Sequence, residues 1–191
     1  MMMKDIIMEV ARDLFIQKGY NATSMGEVVK QSNSSKGTLY YHFTNKEALF
    51  LEILNEEENQ LFSFWEKERE KCTTNYERFQ RFAELASLDE FPYPLRLAVS
   101  EFYLIEHETE LINAKMREID LRYVKTYKEI LQAGNEEQEW LIEDIETISE
   151  IASATFLGLD IFGHHTDQQK RKFLLERYIH LFIKGCNTLD K

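Results

Sequence analysis

Glycine and proline are scarce in this chain, whose 191 residues include 7 glycines and 2 prolines. A fold with many tight turns needs more of both, so their scarcity argues against sheet-rich architectures and favours long helices. The 2 cysteines, Cys72 and Cys186, lie far apart and match neither a metal-binding nor a redox motif. So few cysteines exclude a disulfide-stapled secreted domain and indicate a reducing compartment.

Long hydrophobic runs are also missing. The longest uncharged, mainly apolar run, 151–159, ends at Asp160 and is too short to cross a bilayer. Residues 1–3 lead directly into Lys4 and Asp5, without the apolar stretch of a secretory signal. With 43% hydrophobic and 30% charged residues, we expect a globular cytoplasmic protein with no membrane partner.

Acidic residues outnumber basic ones, and the formal net charge is −11, but the excess is uneven. Residues 1–46 hold 6 Lys and Arg against 4 Asp and Glu, whereas the remainder holds 17 against 30. A slightly basic first segment on an acidic body indicates different partners for the two parts. Solvated helix faces are the simpler interpretation of most of these acids.

Helical periodicity dominates the chain. Apolar residues at 6, 7, 10, 11, 14 and 15 follow the spacing of one buried helix face, which Gly19 ends. Gly134 and Asn135 are expected to end a later helix, and the next stripe covers 140–162. The pattern predicts an all-α protein of about nine helices. A three-helix head at 1–46, with the start of a connecting helix, precedes a helical domain at 47–191.

Two capping boxes mark helix starts near the front of the chain. Ser24-x-x-Glu27 predicts the start of a short second helix. Thr44-x-x-Glu47 predicts the start of a long helix that ends near Arg69.

The segment between these boxes has the composition of a tight turn. Ser32-Asn33-Ser34 contains an asparagine, which tolerates left-handed backbone, and Ser34 or Ser35 is suited to cap a third short helix. Two short helices joined by a tight turn form the helix-turn-helix pattern, whose second helix enters the DNA major groove.

The segment SSKGTLYYHF at 34–43 carries the chemistry that such a helix needs. Lys36 is suited to a guanine edge or a phosphate, Gly37 to close backbone approach, and Thr38 to base contact. Phosphate contacts are expected from side chains on this helix or at helix N-termini: Tyr40, Tyr41, His42, Thr23, Ser24 and Lys46. An alternative for one of the two tyrosines is packing in the core of the head.

Segment 14–54 closely resembles the DNA-binding domain of the TetR family of repressors. The matching signatures are Leu14-Phe15, Gly19-Tyr20, Thr23-Ser24, KGTLYYHF at 36–43 and NKE at 45–47. The resemblance implies a homodimer that binds double-stranded operator DNA, a ligand pocket in the C-terminal domain, and dimerisation through the last two helices.

Several acidic residues fall in line with apolar and aromatic ones. Glu57 lies four residues from both Ile53 and Leu61, and Asp120 precedes Tyr123 by three. A buried carboxylate must reach solvent, a basic partner or a bound cation, and aromatic faces attract cations. The pattern therefore favours a lipophilic cation as ligand. Exposed acids and ordinary aromatic core packing are the alternatives.

A weaker resemblance along the rest of the chain extends to the multidrug-binding members of the TetR family. It implies a ligand pocket built from Glu57, Glu58, Glu90, Tyr93, Tyr103, Met116, Asp120, Tyr123 and Phe162. Arg96 stands where those members have a pocket glutamine. Because Arg96 offers an internal positive charge, a neutral or anionic metabolite is an alternative inducer.

No catalytic constellation, cofactor motif or metal site is evident, so we do not expect an enzyme. Adjacent histidines on a helix or turn are expected to point in different directions, and the sequence offers no third ligand near His164 and His165. The stripes at 148–159 and 173–186 carry more apolar surface than one small domain needs, which favours a four-helix dimer interface over an internal core face. A helical interaction module with a degenerate helix-turn-helix is a further alternative.

Overall fold

The computed structural model of the chain describes residues 2–87, 95–105, 109–163 and 167–187. These residues form nine α-helices and no strand, which confirms the predicted all-α class. The helices are α1 (Met3–Ala22), α2 (Met25–Gln31), α3 (Lys36–His42), α4 (Lys46–Arg69), α5 (Asn75–Ser87), α6 (Arg96–Tyr103), α7 (Glu110–Glu136), α8 (Ile145–Gly163) and α9 (Gln168–Cys186).

The chain divides into two compact units. The first comprises Met1–Gln60 and Tyr93–Arg117, and the second comprises Leu61–Pro92 and Glu118–Lys191. Helices α4 and α7 contribute residues to both units. The predicted functional division at residue 46 is a different partition and stays a prediction.

Helices α1, α3 and α4 supply buried residues to the first unit. Leu39 of α3 and Phe15 of α1 are buried. The Phe15 ring packs edge-on against Phe50 of α4, with ring centroids 4.9 Å apart. Gly19 interrupts α1 with φ 80°, as expected from its position, although the helix resumes and continues to Ala22.

The second unit is built around an aromatic core. The Tyr127 ring contacts the rings of Phe79, Phe82 and Phe156, with centroids 5.2, 4.9 and 5.1 Å apart. Trp65 joins the cluster through a 4.9 Å contact with Phe82. These rings meet at tilted, edge-on and stacked angles, which gives the core large buried area and favourable contacts between ring quadrupoles.

The predicted cap of α4 and the predicted end of α7 are wrong. The cap of α4 is Asn45, whose Oδ1 accepts a hydrogen bond from Ala48 N at 2.8 Å, in place of the predicted Thr44. Helix α7 does not end at Gly134: it reaches Glu136 and closes where Gln138 takes a left-handed conformation, φ 61°. Glu139 N then donates to Gly134 O at 2.9 Å, as in a Schellman motif.

Trp140 explains why a glycine occupies the last turns of α7. A Cβ at position 134 would overlap the Trp140 indole, which is buried and donates from Nε1 to Leu131 O at 3.0 Å. Trp140 therefore lies in the connection before α8, contrary to the predicted helix from 140. In this position the glycine permits close packing on a helix and does not end it.

Candidate nucleic-acid interface and ligand-binding residues

The turn between α2 and α3 is held by short-range hydrogen bonds. Asn33 has φ 52°, which confirms the predicted left-handed residue. Ser32 is buried, and its Oγ donates to Val28 O at 2.6 Å and lies 2.9 Å from Ser34 Oγ. Ser34 N donates to Val29 O at 3.2 Å. The Ser32 hydroxyl thus hydrogen-bonds to the backbone and to the Ser34 hydroxyl. The three turn residues at 32–34 include no apolar side chain.

Serine caps start both helices of the motif. Ser24 Oγ accepts from Glu27 N at 3.2 Å, and the Glu27 carboxylate accepts from Ser24 N, which confirms the predicted capping box. The Lys18 ammonium and Ser24 hold the pKa of the Glu27 carboxyl below its usual value. Ser35 is the cap of α3 and accepts from Thr38 N at 2.9 Å.

Replacing Ser35 by alanine should destabilise the protein by about 1 kcal/mol, because Thr38 N loses its acceptor. Urea unfolding followed by circular dichroism measures the change. Ser63→Ala is the matched control: Ser63 is exposed within α4, so alanine there should be neutral or slightly stabilising. Equal effects at both sites would contradict the capping role.

Helix α3 has one buried and one open face. Leu39 and Phe43 are buried, whereas Lys36, Gly37 and Tyr40 are exposed. Tyr41 is 85% exposed, and Thr38 and His42 are half-buried. Packing in the core therefore accounts for neither tyrosine. Four of the six α3 residues predicted to meet a duplex are therefore exposed.

The three predicted phosphate contacts outside α3 also have partners within the first unit. Buried Thr23 donates from Oγ1 to Gly19 O at 2.8 Å. Lys46 Nζ donates to Tyr20 O at 2.9 Å and Thr23 O at 3.1 Å, and lies 4.2 Å from the Tyr20 ring centroid. Burial lowers the pKa of the Lys46 ammonium. Thr23, Ser24 and Lys46 stay predicted DNA contacts.

Sequence reasoning missed Glu101, which joins α6 to the broken end of α1. Its Oε2 accepts from Asn21 N at 2.8 Å, and a Cβ on Gly19 would lie 2.6 Å from that oxygen. The glycine at a helix interruption was the available signal for a close approach. Its partner, 80 residues away from Asn21, could not be read from the sequence.

The predicted ligand carboxylates of α4 are buried, and Glu57 has a basic partner that sequence reasoning missed. Glu57 and Glu58 both have little exposure. Arg12 of α1 places Nε 2.8 Å from Glu57 Oε1 and donates to Glu56 Oε2 at 2.6 Å. Burial raises the pKa of the Glu57 carboxyl, although the Arg12 guanidinium opposes that rise.

The remaining predicted ligand residues fall on both units. Tyr103 and Met116 are half-buried in the first unit, and Asp120 and Tyr123 are half-buried in the second. Within the second unit the Tyr123 ring contacts Phe62 and Phe82, with centroids 5.2 and 5.8 Å apart. The structure thus packs Tyr123 against the aromatic core of its own unit, as in the alternative of ordinary core packing.

Some predictions fall on residues that the structure does not describe. Glu90, Tyr93, His164 and His165 lie outside the described residues. Arg96 and Phe162 lie in helices α6 and α8, but their side chains are not described.

In the described part of the chain, no group of three or more His, Cys, Asp and Glu side chains is arranged to hold a metal. Within the same residues, every helix is too short or too polar to cross a membrane.

Comparison with known proteins finds family models that cover most of the chain. The model for bacterial regulatory proteins of the tetR family matches residues 7–53, and the model for the C-terminal region of QacR-like proteins matches residues 57–188. The HTH-type transcriptional regulator QacR from Staphylococcus aureus is 44% identical over 187 residues, which span 98% of this chain and 100% of that protein.

Solved structures share the fold at lower identity. The transcriptional regulator FadR from Bacillus subtilis, in complex with stearoyl-CoA, aligns with TM-score 0.77 and 19% identity over 95% of this chain and 98% of its own. A transcriptional regulator from Saccharomonospora viridis, in complex with choline, aligns with TM-score 0.74 and 22% identity over 93% and 95% of the two chains. Family models over both parts of the chain, together with 44% identity along almost its whole length, identify it as a QacR-like member of the TetR family of transcriptional regulators.

Proposed function

We propose that this regulator is a repressor that binds an inverted-repeat operator as a homodimer and leaves it when a lipophilic cation binds. Its target is an efflux or stress gene. The open face of α3 is the observation that carries DNA binding, because Lys36, Gly37 and Tyr41 are exposed while Leu39 anchors the helix. In a dimer, two such helices would meet major-groove half-sites about 34–36 Å apart, or a multiple of that distance.

The last two helices support the homodimer. Ile151 of α8 and Phe173 and Leu181 of α9 are large apolar residues exposed to solvent in the single chain. Isolated exposed apolar residues are ordinary, but three on the pair of helices that this family uses for dimerisation favour burial against a second copy. Operator symmetry would then mirror the two-fold axis of the dimer.

Buried carboxylates on α4, together with the aromatic side chains of the predicted pocket, support a cationic ligand. Glu57 and Glu58 are buried, and burial already raises the pKa of the Glu57 carboxyl. A cation would relieve that desolvated charge, and each good cation–aromatic contact would add about 0.5–2 kcal/mol. The resemblance of the chain to multidrug-binding members of the TetR family implies the same ligand class. A neutral or anionic inducer is the second candidate, because Arg96 offers an internal positive charge. FadR, which shares the fold, was solved in complex with stearoyl-CoA.

Release requires that the ligand prefer one conformation of the dimer. A ligand with equal affinity for the operator-bound and free conformations does not shift the equilibrium between them. Helix α4 is the proposed lever because Lys46, at its start, contacts the end of α1, and Glu57 lies on the same helix.

DNA binding is tested by fluorescence anisotropy with inverted-repeat duplexes taken from upstream of the chain's own gene. We expect tight binding that weakens steeply between 50 and 200 mM salt, by roughly a thousandfold for six or more phosphate contacts. A shuffled duplex is the control. Equal affinity for both duplexes would contradict repression and favour the helical interaction module.

The ligand class is tested by adding tetraphenylphosphonium, neutral triphenylphosphine oxide or stearoyl-CoA to the operator complex. Only the cation should release the DNA. Glu57→Gln should weaken that response about tenfold or more, while operator affinity stays within about threefold, since glutamine still offers an oxygen to Arg12. Release by stearoyl-CoA alone would favour the second candidate.

A further inference from the structure

Two sets of ion pairs join α1 to α4, and they differ in burial. Lys4 Nζ lies 2.7 Å from Glu52 Oε1, and both side chains are well exposed, at 37% and 41%. Arg12 contacts Glu56 and Glu57, whose side chains are 48% and 8% exposed. One arginine therefore connects a solvated carboxylate with a desolvated one.

These contacts have unequal energetic consequences. Exposed pairs such as Lys4–Glu52 contribute about 0–1 kcal/mol, because water screens both charges. A buried carboxylate that loses its counter-ion is left desolvated, which is costly. Glu57 therefore requires a positive charge beside it, whereas Glu56 does not. Burial raises the pKa of the Glu57 carboxyl even with Arg12 present, so one guanidinium only partly compensates the desolvation.

We propose that Arg12 is the resident counter-ion of Glu57, that a cationic ligand must compete with it, and that Arg12 thereby limits affinity for cations. This proposal rests on the proposed cation response, because it concerns the same carboxylate. In the absence of ligand, Arg12 lies beside Glu57 and partly compensates its buried charge. A ligand cation that approaches Glu57 either displaces the guanidinium or shares the carboxylate with it, and in both cases part of its attraction to Glu57 is lost.

The competition should be strongest for cations that cannot donate hydrogen bonds. The guanidinium carries N–H donors in a planar fork that matches a carboxylate. Tetraphenylphosphonium has no N–H group, so it offers charge and ring faces alone, and its bulky rings keep its charge farther from the carboxylate than Arg12 Nε, which lies 2.8 Å from Glu57 Oε1. Removing Arg12 should therefore favour this cation more than neutral compounds of similar shape.

Isothermal titration calorimetry at pH 8 with tetraphenylphosphonium tests the proposal directly. Arg12→Met should bind the cation about tenfold more tightly than the unaltered chain, and Arg12→Lys should fall between them. Glu56→Gln is the matched control, because it removes the solvated partner of the same arginine and should change affinity less than twofold. Triphenylphosphine oxide should bind all variants equally.

A double-mutant cycle shows whether the gain acts through Glu57. Arg12→Met should give no gain in a Glu57→Gln background, since the competed charge is then absent. Unchanged or weaker cation binding by both Arg12→Met and Arg12→Lys, with folded circular dichroism spectra, would overturn the proposal. So would an equal gain with and without Glu57.

Failure of the proposed function gives a different pattern. If the unaltered chain binds no operator but Arg12→Met still binds tetraphenylphosphonium more tightly in a Glu57-dependent way, the counter-ion role stands and repression does not. If operator binding and cation-induced release hold while the Arg12 variants show no gain, repression stands and the counter-ion role fails. Binding of the cation by neither the unaltered chain nor Arg12→Met also overturns the counter-ion role.

Discussion

Replacing Gly134 by valine is expected to destabilise the protein by about 3 kcal/mol or more. The Trp140 indole occupies the space that any Cβ at position 134 would need, and Trp140 is buried. Forcing extra carbons into a packed site costs about 1–3 kcal/mol, and the slightly better helix propensity of valine relative to glycine offsets only a few tenths of that, about 0.3 kcal/mol. Displacing the ring would also break the Trp140 Nε1 hydrogen bond to Leu131 O, leaving a buried donor unsatisfied.

Urea unfolding followed by tryptophan fluorescence measures this loss as a lower midpoint. Gly26→Ala is the control, because a Cβ there meets only Ser24 Oγ at 4.0 Å. Within α2 this change should be neutral or stabilising by up to about 1 kcal/mol. An unchanged midpoint for Gly134→Val would mean that Trp140 does not pack on α7 in solution.

Replacing Lys36 by glutamate should reduce operator affinity about 100-fold or more. The change occurs twice in a homodimer, and two losses of about 1.4 kcal/mol multiply to that factor. Lys36 is exposed on the open face of α3, with Nζ 5.9 Å from the Tyr40 ring centroid. The substitution should therefore leave the unfolding midpoint unchanged while it places a negative charge against the DNA.

Operator binding at fixed salt is the measurement, and Lys67→Glu is the charge-matched control. Lys67 is exposed in the part of α4 that belongs to the second unit. It gives the same change in net charge without altering α3, so its effect on affinity should be several-fold at most. If both substitutions weaken binding equally, the effect comes from overall charge, and α3 is not the helix that contacts the operator.

The local structure of the helix-turn-helix could be predicted closely from the sequence. The caps at Ser24 and Ser35 and the left-handed Asn33 all appear in the structure. Each depends on hydrogen bonds between residues a few positions apart, so the residues that decide it stand together in the sequence. Neighbouring residues can still mislead: Thr44 was the predicted cap of α4, and the structure uses Asn45.

Glycine was the least reliable signal. Gly19 takes the positive φ that its position suggested, whereas Gly134 lies within α7 and serves Trp140. The same absence of a Cβ permits either a left-handed turn or the close approach of a ring. Which of the two applies depends on whether tertiary packing places another side chain against the glycine.

By itself the sequence determined the helical class, the order of the helices and the chemistry of α3, because periodicity and capping are properties of neighbouring residues. Only the tertiary structure decided which charges meet. Arg12 lies 44 residues from its partner Glu56 and Glu101 lies 80 residues from Asn21. Such pairs form where packed helices bring distant side chains together, and burial then decides whether a carboxylate such as Glu57 needs its cation.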